Sequence, residues 1–271
     1  MGTISINPEE LFHRLVRGAG PVIIDVRRRQ IFEEASSLLP AARWRPHLDS
    51  AIWANDLPPG RDVAVYCVRG HNVSQLAAAE LRSMGIEASF LQGGIDAWQK
   101  SGYPLVGKSP FAPPEATVPS SWVTRWRPKI DRIACPWFIT RFVDPRARIL
   151  FVEPQQVVPV AEELHATPFD IDGAPITHDG PRCSFDTLLD HFAITDKSLR
   201  LMAEIIRGAD TADLTRTPQS AGLLAIALGI SAQCEDDHEA LSRGFAVYDA
   251  LYAWANLARE ETHNWPTVKP A

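Results

Sequence analysis

Cys67 ends the apolar run Asp62-Val63-Ala64-Val65-Tyr66 and opens the short loop Cys67-Val68-Arg69-Gly70-His71-Asn72 ahead of a helical pattern. A thiol at the carboxyl end of a parallel strand faces the free N–H groups of the helix that follows, and those dipoles stabilise its anion. Arg69 and His71 add positive potential within the same loop. This layout makes a nucleophile. The backbone of Val68, Gly70, His71, Asn72 and Val73 also offers N–H groups to an incoming oxyanion. The plain alternative is a buried strand-end cysteine acting as a small core hydrophobe; the charged, glycine-containing loop around Cys67 favours chemistry instead. The helix behind it carries Val73, Leu76, Ala77, Leu81 and Met84 at helical spacing, with Gly85 as its left-handed stop.

A second set of chemistry-bearing residues lies further along. Cys135 follows Asp131 and Arg132, with Lys129 and Arg127 nearby to attract an oxyanion. His178 and Cys183 have a spacing that a turn could bring onto one divalent metal, with Asp210, Asp237 and His238 completing the shell. The ligand mix is loose, and the plain readings are a hydrogen-bonded loop histidine at 178 and a surface or capping histidine at 238. Cys183 precedes a helix capped by Ser184, which would activate its thiol; a buried structural cysteine is the alternative. Tyr248 and Tyr252 read as core aromatics.

The elements that must position these groups fall into two sets. Asn7-Pro8-Glu9-Glu10 is a helix start ahead of Leu11, Leu15 and Val16. Val22-Ile23-Ile24 is a short buried strand with Asp25-Val26-Arg27 at its end, Cys67 closes a second, and Ala88-Ser89-Phe90-Leu91 leads through Gly93-Gly94 into a helix with Ile95 and Trp98. Strands ending in polar or glycine-rich turns, each followed by a helix, imply a parallel sheet with functional groups at the strands' carboxyl ends. Residues 108–120 shift to Pro110, Pro113, Pro114 and Pro119 and read as a stiff linker. Beyond them, strands are expected at Trp122-Val123-Thr124 and Ile149-Leu150-Phe151-Val152, and helices at 133–142, 197–207, 218–228 and 238–255.

The 271 residues suit two domains, and 45% hydrophobic with 22% charged residues describes an ordinary globular chain. A net charge of −6 argues against a nucleic-acid partner. No run approaches the roughly 20 apolar residues of a membrane span, and the N-terminus lacks a signal-peptide pattern, so a cytoplasmic location is expected. Cys67, Cys135, Cys183 and Cys234 show no pairing pattern and read as free thiols.

Asp25-Val26-Arg27, the loop from Tyr66 to His71, and Leu91-Gln92-Gly93-Gly94-Ile95 with Trp98 and Gly102-Tyr103-Pro104 resemble a single-domain rhodanese over residues 3–107. The resemblance implies that Cys67 carries sulfane sulfur as a persulfide and passes it from a small-molecule donor to a thiol acceptor, with no cofactor. It further implies that Asp25 and Arg27 brace the loop and that the amides of Val68 to Val73 hold the persulfide and the donor's anionic tail. Residues 32–46 depart from the family's Gly-His-Ile-Pro-Gly-Ala signature, and Asn72 stands where many members have arginine, leaving Arg69 to contact the anion. Cysteine phosphatases need an arginine six residues after the cysteine to grip their oxyanion. Here that position is Val73.

Lys129-Ile130-Asp131-Arg132-Ile133-Ala134-Cys135, Thr177-His178-Asp179-Gly180 with Cys183-Ser184-Phe185, Arg207-Gly208-Ala209-Asp210-Thr211 and Asp236-Asp237-His238-Glu239 resemble the C-terminal domain of the chromate-resistance protein B family, over residues 121–258. The expected organisation is an α/β rhodanese-like domain at 1–107, a parallel sheet flanked by helices, then the linker and a mainly helical α+β domain at 121–271. The expected function is sulfur transfer linked to chromate or oxyanion stress, with Cys135 or Cys183 as an acceptor across the linker. A chromate- or metal-binding sensor without turnover and a thiol-dependent chromate reductase are the alternatives.

Overall fold

The computed structural model describes residues 4–261, so the outermost ends of the two expected domains, 1–3 and 262–271, lie outside the described residues. The first domain is built from β1 (Ser5–Ile6), α1 (Pro8–Val16), β2 (Val22–Asp25), α2 (Arg29–Glu34), β3 (Ser37–Leu38), β4 (Arg43–Trp44), α3 (Ser50–Trp53), β5 (Val63–Tyr66), α4 (Asn72–Ser83), β6 (Ala88–Leu91), α5 (Gly94–Lys100) and β7 (Val106–Gly107). Five strands form one parallel sheet in the order β1-β6-β5-β2-β4, and β3 pairs antiparallel with β7 beside it. The stretch that lacks the family signature still supplies an edge strand: Arg43 pairs with Ile24 and Trp44 with Asp25.

Helices cover both faces of this sheet, which explains the unbroken apolar runs of its central strands. Successive strand residues point to opposite faces, and the packing follows that alternation. Ile23, Ala64 and Tyr66 pack with Leu11, Phe12 and Trp98 from α1 and α5. Ile24, Val65 and Cys67 pack with Trp53, Ala77, Ala78 and Leu81 from α3 and α4. The buried face of α4 is Ser74, Ala77, Ala78 and Leu81. Leu76 and Met84, expected on that face, are 54% and 42% exposed because the stripe facing the sheet lies one residue around the helix.

The second domain contains β8 (Ser121–Arg125), α6 (Ile130–Phe138), β9 (Arg148–Val152), α7 (Val157–Leu164), β10 (Thr167–Pro168), α8 (Ser184–His191), α9 (Lys197–Asp210), α10 (Ser220–Gln233) and α11 (Asp237–Ala253). Its three strands form a parallel sheet in the order β10-β8-β9. Helix α6 is buried along almost its whole length and widens into a π-turn at 139–143 after the internal Pro136. Helices α8, α9 and α11 pack around it, and the Tyr248 hydroxyl donates to the Ile130 carbonyl at 2.9 Å.

The proline-rich segment is a packed strap. Trp44 N donates to Pro114 O at 3.0 Å on the first-domain side, and Arg146 Nη1 to Thr117 O at 2.8 Å on the second. Phe111 stacks on His191 at 4.6 Å between ring centroids. The two domains share one continuous core, in which Leu11, Phe12 and Leu39 are joined to Trp137, Phe138 and Phe142. Direct backbone bonds reinforce it: Ala41 N donates to Phe142 O and Gly107 N to Phe192 O, at 2.6 and 2.7 Å.

Candidate functional site

The loop after β5 is held from one side by α5. Ile95 N donates to Cys67 O at 3.0 Å and Asp96 N to Val68 O at 3.1 Å. In a trans peptide the N–H points opposite to the carbonyl, so these two bonds turn the N–H groups of Val68 and Arg69 away from α5. None of the backbone N–H groups from Val68 to Val73 has an acceptor among the described residues. Buried or enclosed backbone donors are normally paired, so this unbroken row is a site for an acceptor from outside. Gly70 makes the turn at φ +68°, and a Cβ there would lie 2.5 Å from Leu91 O. Gln75 Nε2 braces the loop by donating to Gly70 O at 3.0 Å.

Cys67 itself is 6% exposed, more enclosed than a free nucleophile at a loop tip. Its Sγ lies 3.2 Å from the hydroxyl of Ser74, a fully buried residue in the first turn of α4. Arg69 and Asn72 extend into solvent, and the Arg69 guanidinium pairs with Asp96 at 3.6 Å. His71 is the N-cap of α4, exposed, with no capping bond from its ring.

Asp25 and Arg27 meet beneath the loop. Arg27 Nε donates to Asp25 Oδ2 at 2.8 Å and Nη2 to the same oxygen at 2.5 Å, both side chains being buried. Tyr66 OH donates to that carboxylate at 2.9 Å and accepts from Leu39 N. Burial pushes the Tyr66 phenol well above its usual value, so it remains a donor. The pair therefore acts on the residue before Cys67, fixing the end of β5.

In the second domain, Asp131 on α6, Asp170 after β10, His178 in the following loop and Asp210 at the end of α9 converge. His178 Nε2 lies 3.2 Å from Asp210 Oδ2 and 3.6 Å from both Asp131 Oδ2 and Asp170 Oδ1. Asp131 Oδ2 accepts from Ser184 N at 2.6 Å, Asp170 Oδ1 from Ser184 Oγ at 2.7 Å, and Asp170 Oδ2 from Arg125 at 2.9 Å. Arg132 approaches Asp170 at 3.3 Å. The Asp131 carboxylate, with Asp210 and Asp170 behind it, raises the His178 pKa to about 9 against the opposing effect of burial. Burial, then the neighbouring Asp131 and Asp170 charges, raises Asp210 to about 7.

The other second-domain candidates do not join this cluster as ligands. Asp237 accepts from Arg127 N at 3.0 Å, and His238 packs edge-on against Phe151. Cys183, not Ser184, is the N-cap of α8, and Asp186 closes that turn by accepting from Cys183 N at 3.1 Å. Cys135 and Cys183 are fully buried, and burial with adjacent carboxylates pushes both thiols far upward, so both are neutral. Neither is placed to meet Cys67, which points to the α4 face while the second domain packs on the α1 and α5 face.

Residues 8–101 match the family model of the rhodanese-like domain, and residues 122–255 that of ChrB, C-terminal domain. A sulfurtransferase of Allochromatium vinosum is 31% identical over 101 residues, 37% of this chain and 92% of that protein. The chain belongs to the rhodanese-like family and carries a ChrB C-terminal domain. Protein ChrB of Cupriavidus metallidurans is 33% identical over 187 residues, 68% of this chain and 55% of ChrB, so the chain spans about half that relative's length. Among solved structures, a rhodanese-like domain protein of Staphylococcus aureus is 27% identical over 35% of this chain and 91% of its own, with a TM-score of 0.32.

Ser74 and Asp170 carry no signal in the sequence, and Ser184 reads there only as a helix cap. Ser74 in the rhodanese-like domain looks like any small helix residue until α4 turns it toward the thiol. In the ChrB-type domain, Asp170 sits in a turn-forming Phe-Asp-Ile-Asp-Gly stretch, at φ +55°, and Ser184 bonds two carboxylates at once. A cleft of about 310 Å³ between the domains, walled by Phe12, Arg141, Phe142 and Tyr252, contains neither Cys67 nor His178. No helix among the described residues is long and apolar enough to cross a membrane.

Proposed function

We propose that this protein is a cytoplasmic sulfurtransferase whose work is tied to chromate or oxyanion stress, with Cys67 as the carrier. What supports the reading is the row of unpaired amides from Val68 to Val73 at the head of α4, directly after the thiol. The Cys67 thiolate attacks the outer sulfur of a donor such as thiosulfate. A Cys67 S–S bond forms, the bond to the sulfonate sulfur breaks, and sulfite leaves with the electron pair. An acceptor nucleophile, a thiolate or cyanide, then takes the outer sulfur and regenerates the Cys67 thiolate. The amides hold the donor's anionic end and the terminal persulfide charge. The enclosure of Cys67 favours small donors and acceptors. Cys67→Ser should abolish transfer of thiosulfate sulfur to cyanide; wild-type turnover in that variant would refute the assignment.

The ChrB C-terminal domain supports a second reading, a stress sensor without turnover, in which the charged cluster around His178 binds the signal. Chromate binding to the whole protein with no sulfur transfer under any donor would favour it. Thiol-dependent chromate reduction, with electrons from Cys67 and a partner thiol, would need that partner from elsewhere than Cys135 or Cys183, which are buried in the second domain's core.

A further inference from the structure

The carboxylates around His178 are spaced for a common partner. A hydrogen bond from an imidazole to a carboxylate spans about 2.7–3.2 Å; His178 Nε2 stands beyond it, at 3.6 Å, from both Asp131 and Asp170, and at its outer limit, 3.2 Å, from Asp210. A tetrahedral ion with ligand bonds of about 2.0–2.2 Å holds neighbouring donors about 3.3–3.6 Å apart. One donor atom each from Asp131, Asp170 and His178 lies within 4.8 Å of the others. The imidazole thus sits at the distance of a fellow ligand.

An independent sign is the state of Asp131. This side chain is 2% exposed, and its Oδ1 is buried without any hydrogen-bond partner among the described residues. A buried carboxylate oxygen left unpaired carries a desolvation cost that a native fold normally offsets. Its other oxygen is tied to Ser184 N, which fixes the carboxylate within the cluster. Asp170 is fixed likewise by Ser184 Oγ and two arginines. Preorganised ligands of this kind cost little ordering when an ion enters. The half-exposed ring of His178 leaves an entry path.

We infer that Asp131, Asp170 and His178, with Asp210 3.2 Å from the imidazole, form a binding site for a divalent first-row transition cation in the ChrB-type domain. Three carboxylates with one imidazole suit Mn²⁺, Fe²⁺, Co²⁺ or Zn²⁺, and the lack of an ionised thiol disfavours soft monovalent copper. The inference is independent of the sulfur-transfer reading.

The test is a Co²⁺ titration of the chelator-stripped full-length protein, followed by visible d–d absorption. One Co²⁺ per chain should bind, with bands of an oxygen and nitrogen donor set and no thiolate charge-transfer band. His178→Gln and Asp210→Asn should each weaken binding at least about tenfold, while Asp237→Asn and His238→Gln should bind like the wild type. Asp131 is avoided as a first variant because its carboxylate also caps α8; retained circular dichroism in the His178 and Asp210 variants shows that they fold. Absence of a saturable band up to millimolar Co²⁺, a thiolate charge-transfer band, or wild-type binding by both His178→Gln and Asp210→Asn overturns the site. Cys67→Ser should bind Co²⁺ unchanged, which separates failure of this inference from failure of the sulfur-carrier assignment.

Discussion

The Ser74 hydroxyl lies 3.2 Å from the Cys67 sulfur while also reaching His71 O at 3.2 Å. When the sulfur is anionic, the hydroxyl turns its proton to it, and a hydrogen bond to a charged group contributes about 1.5–3 kcal/mol. Ser74→Ala should therefore slow sulfur loading from thiosulfate by about ten- to a hundredfold at neutral pH, using about 1.4 kcal/mol per decade. Single-turnover sulfite release measures it, and an unchanged rate would remove Ser74 from the mechanism.

Gly70 holds the loop in a left-handed turn against Leu91 O and Gly93 N. A side chain there adds backbone strain of about 1–3 kcal/mol and pushes the loop off α5. Gly70→Ala should lower the melting temperature by several degrees and reduce sulfur transfer more than any exposed loop change, such as Asn72→Ala. Scanning calorimetry and the cyanide assay together check this.

Asp25 and Arg27 are buried as a pair, so removing one partner strands the other's charge. Such a loss costs about 3–5 kcal/mol. Asp25→Ala is expected to shift the urea midpoint strongly downward, and the double variant Asp25→Ala with Arg27→Met should recover part of it. A single-variant midpoint equal to wild type would contradict the bracing role.

His191 links the strap to the second domain, stacked on Phe111 with Ser109 Oγ 2.8 Å from its Nε2. Burial lowers its pKa below the ordinary 6.5. Because the folded protein resists taking up this proton, the unfolded chain binds more protons at acid pH, and stability falls as pH drops below about 6.5. Above that value the contribution is fully present. His191→Gln should flatten this part of the pH profile relative to wild type, read as the difference in unfolding midpoint between pH 7.5 and 5.5.

Cys135 and Cys183 face the second domain's core, on the side of the sheet away from Cys67. Cys135→Ala and Cys183→Ala should leave thiosulfate-to-cyanide activity near wild type at a temperature where the variants remain folded. A large loss in folded protein would restore one of them as a sulfur acceptor.

The sequence by itself determined the local units. Asn7 accepting from Glu10 N, the β5–Cys67–α4 order and Asp25-Val26-Arg27 at the end of β2 are written in caps, apolar runs and turn residues, which act over a few positions. That is why the sulfur-carrier loop was legible as a linear motif. Tertiary packing decided which faces meet and which distant charges converge. Asp131, Asp170, His178 and Asp210 come from four separate segments, and only the docking of α6, α8 and α9 on the small parallel sheet brings them together, while Asp237 and His238 are carried elsewhere by the start of α11. The strap at 108–120 likewise reads as a spacer from its prolines, but the Phe111 and Pro114 contacts that join two cores into one depend on surfaces that exist only after both domains have folded.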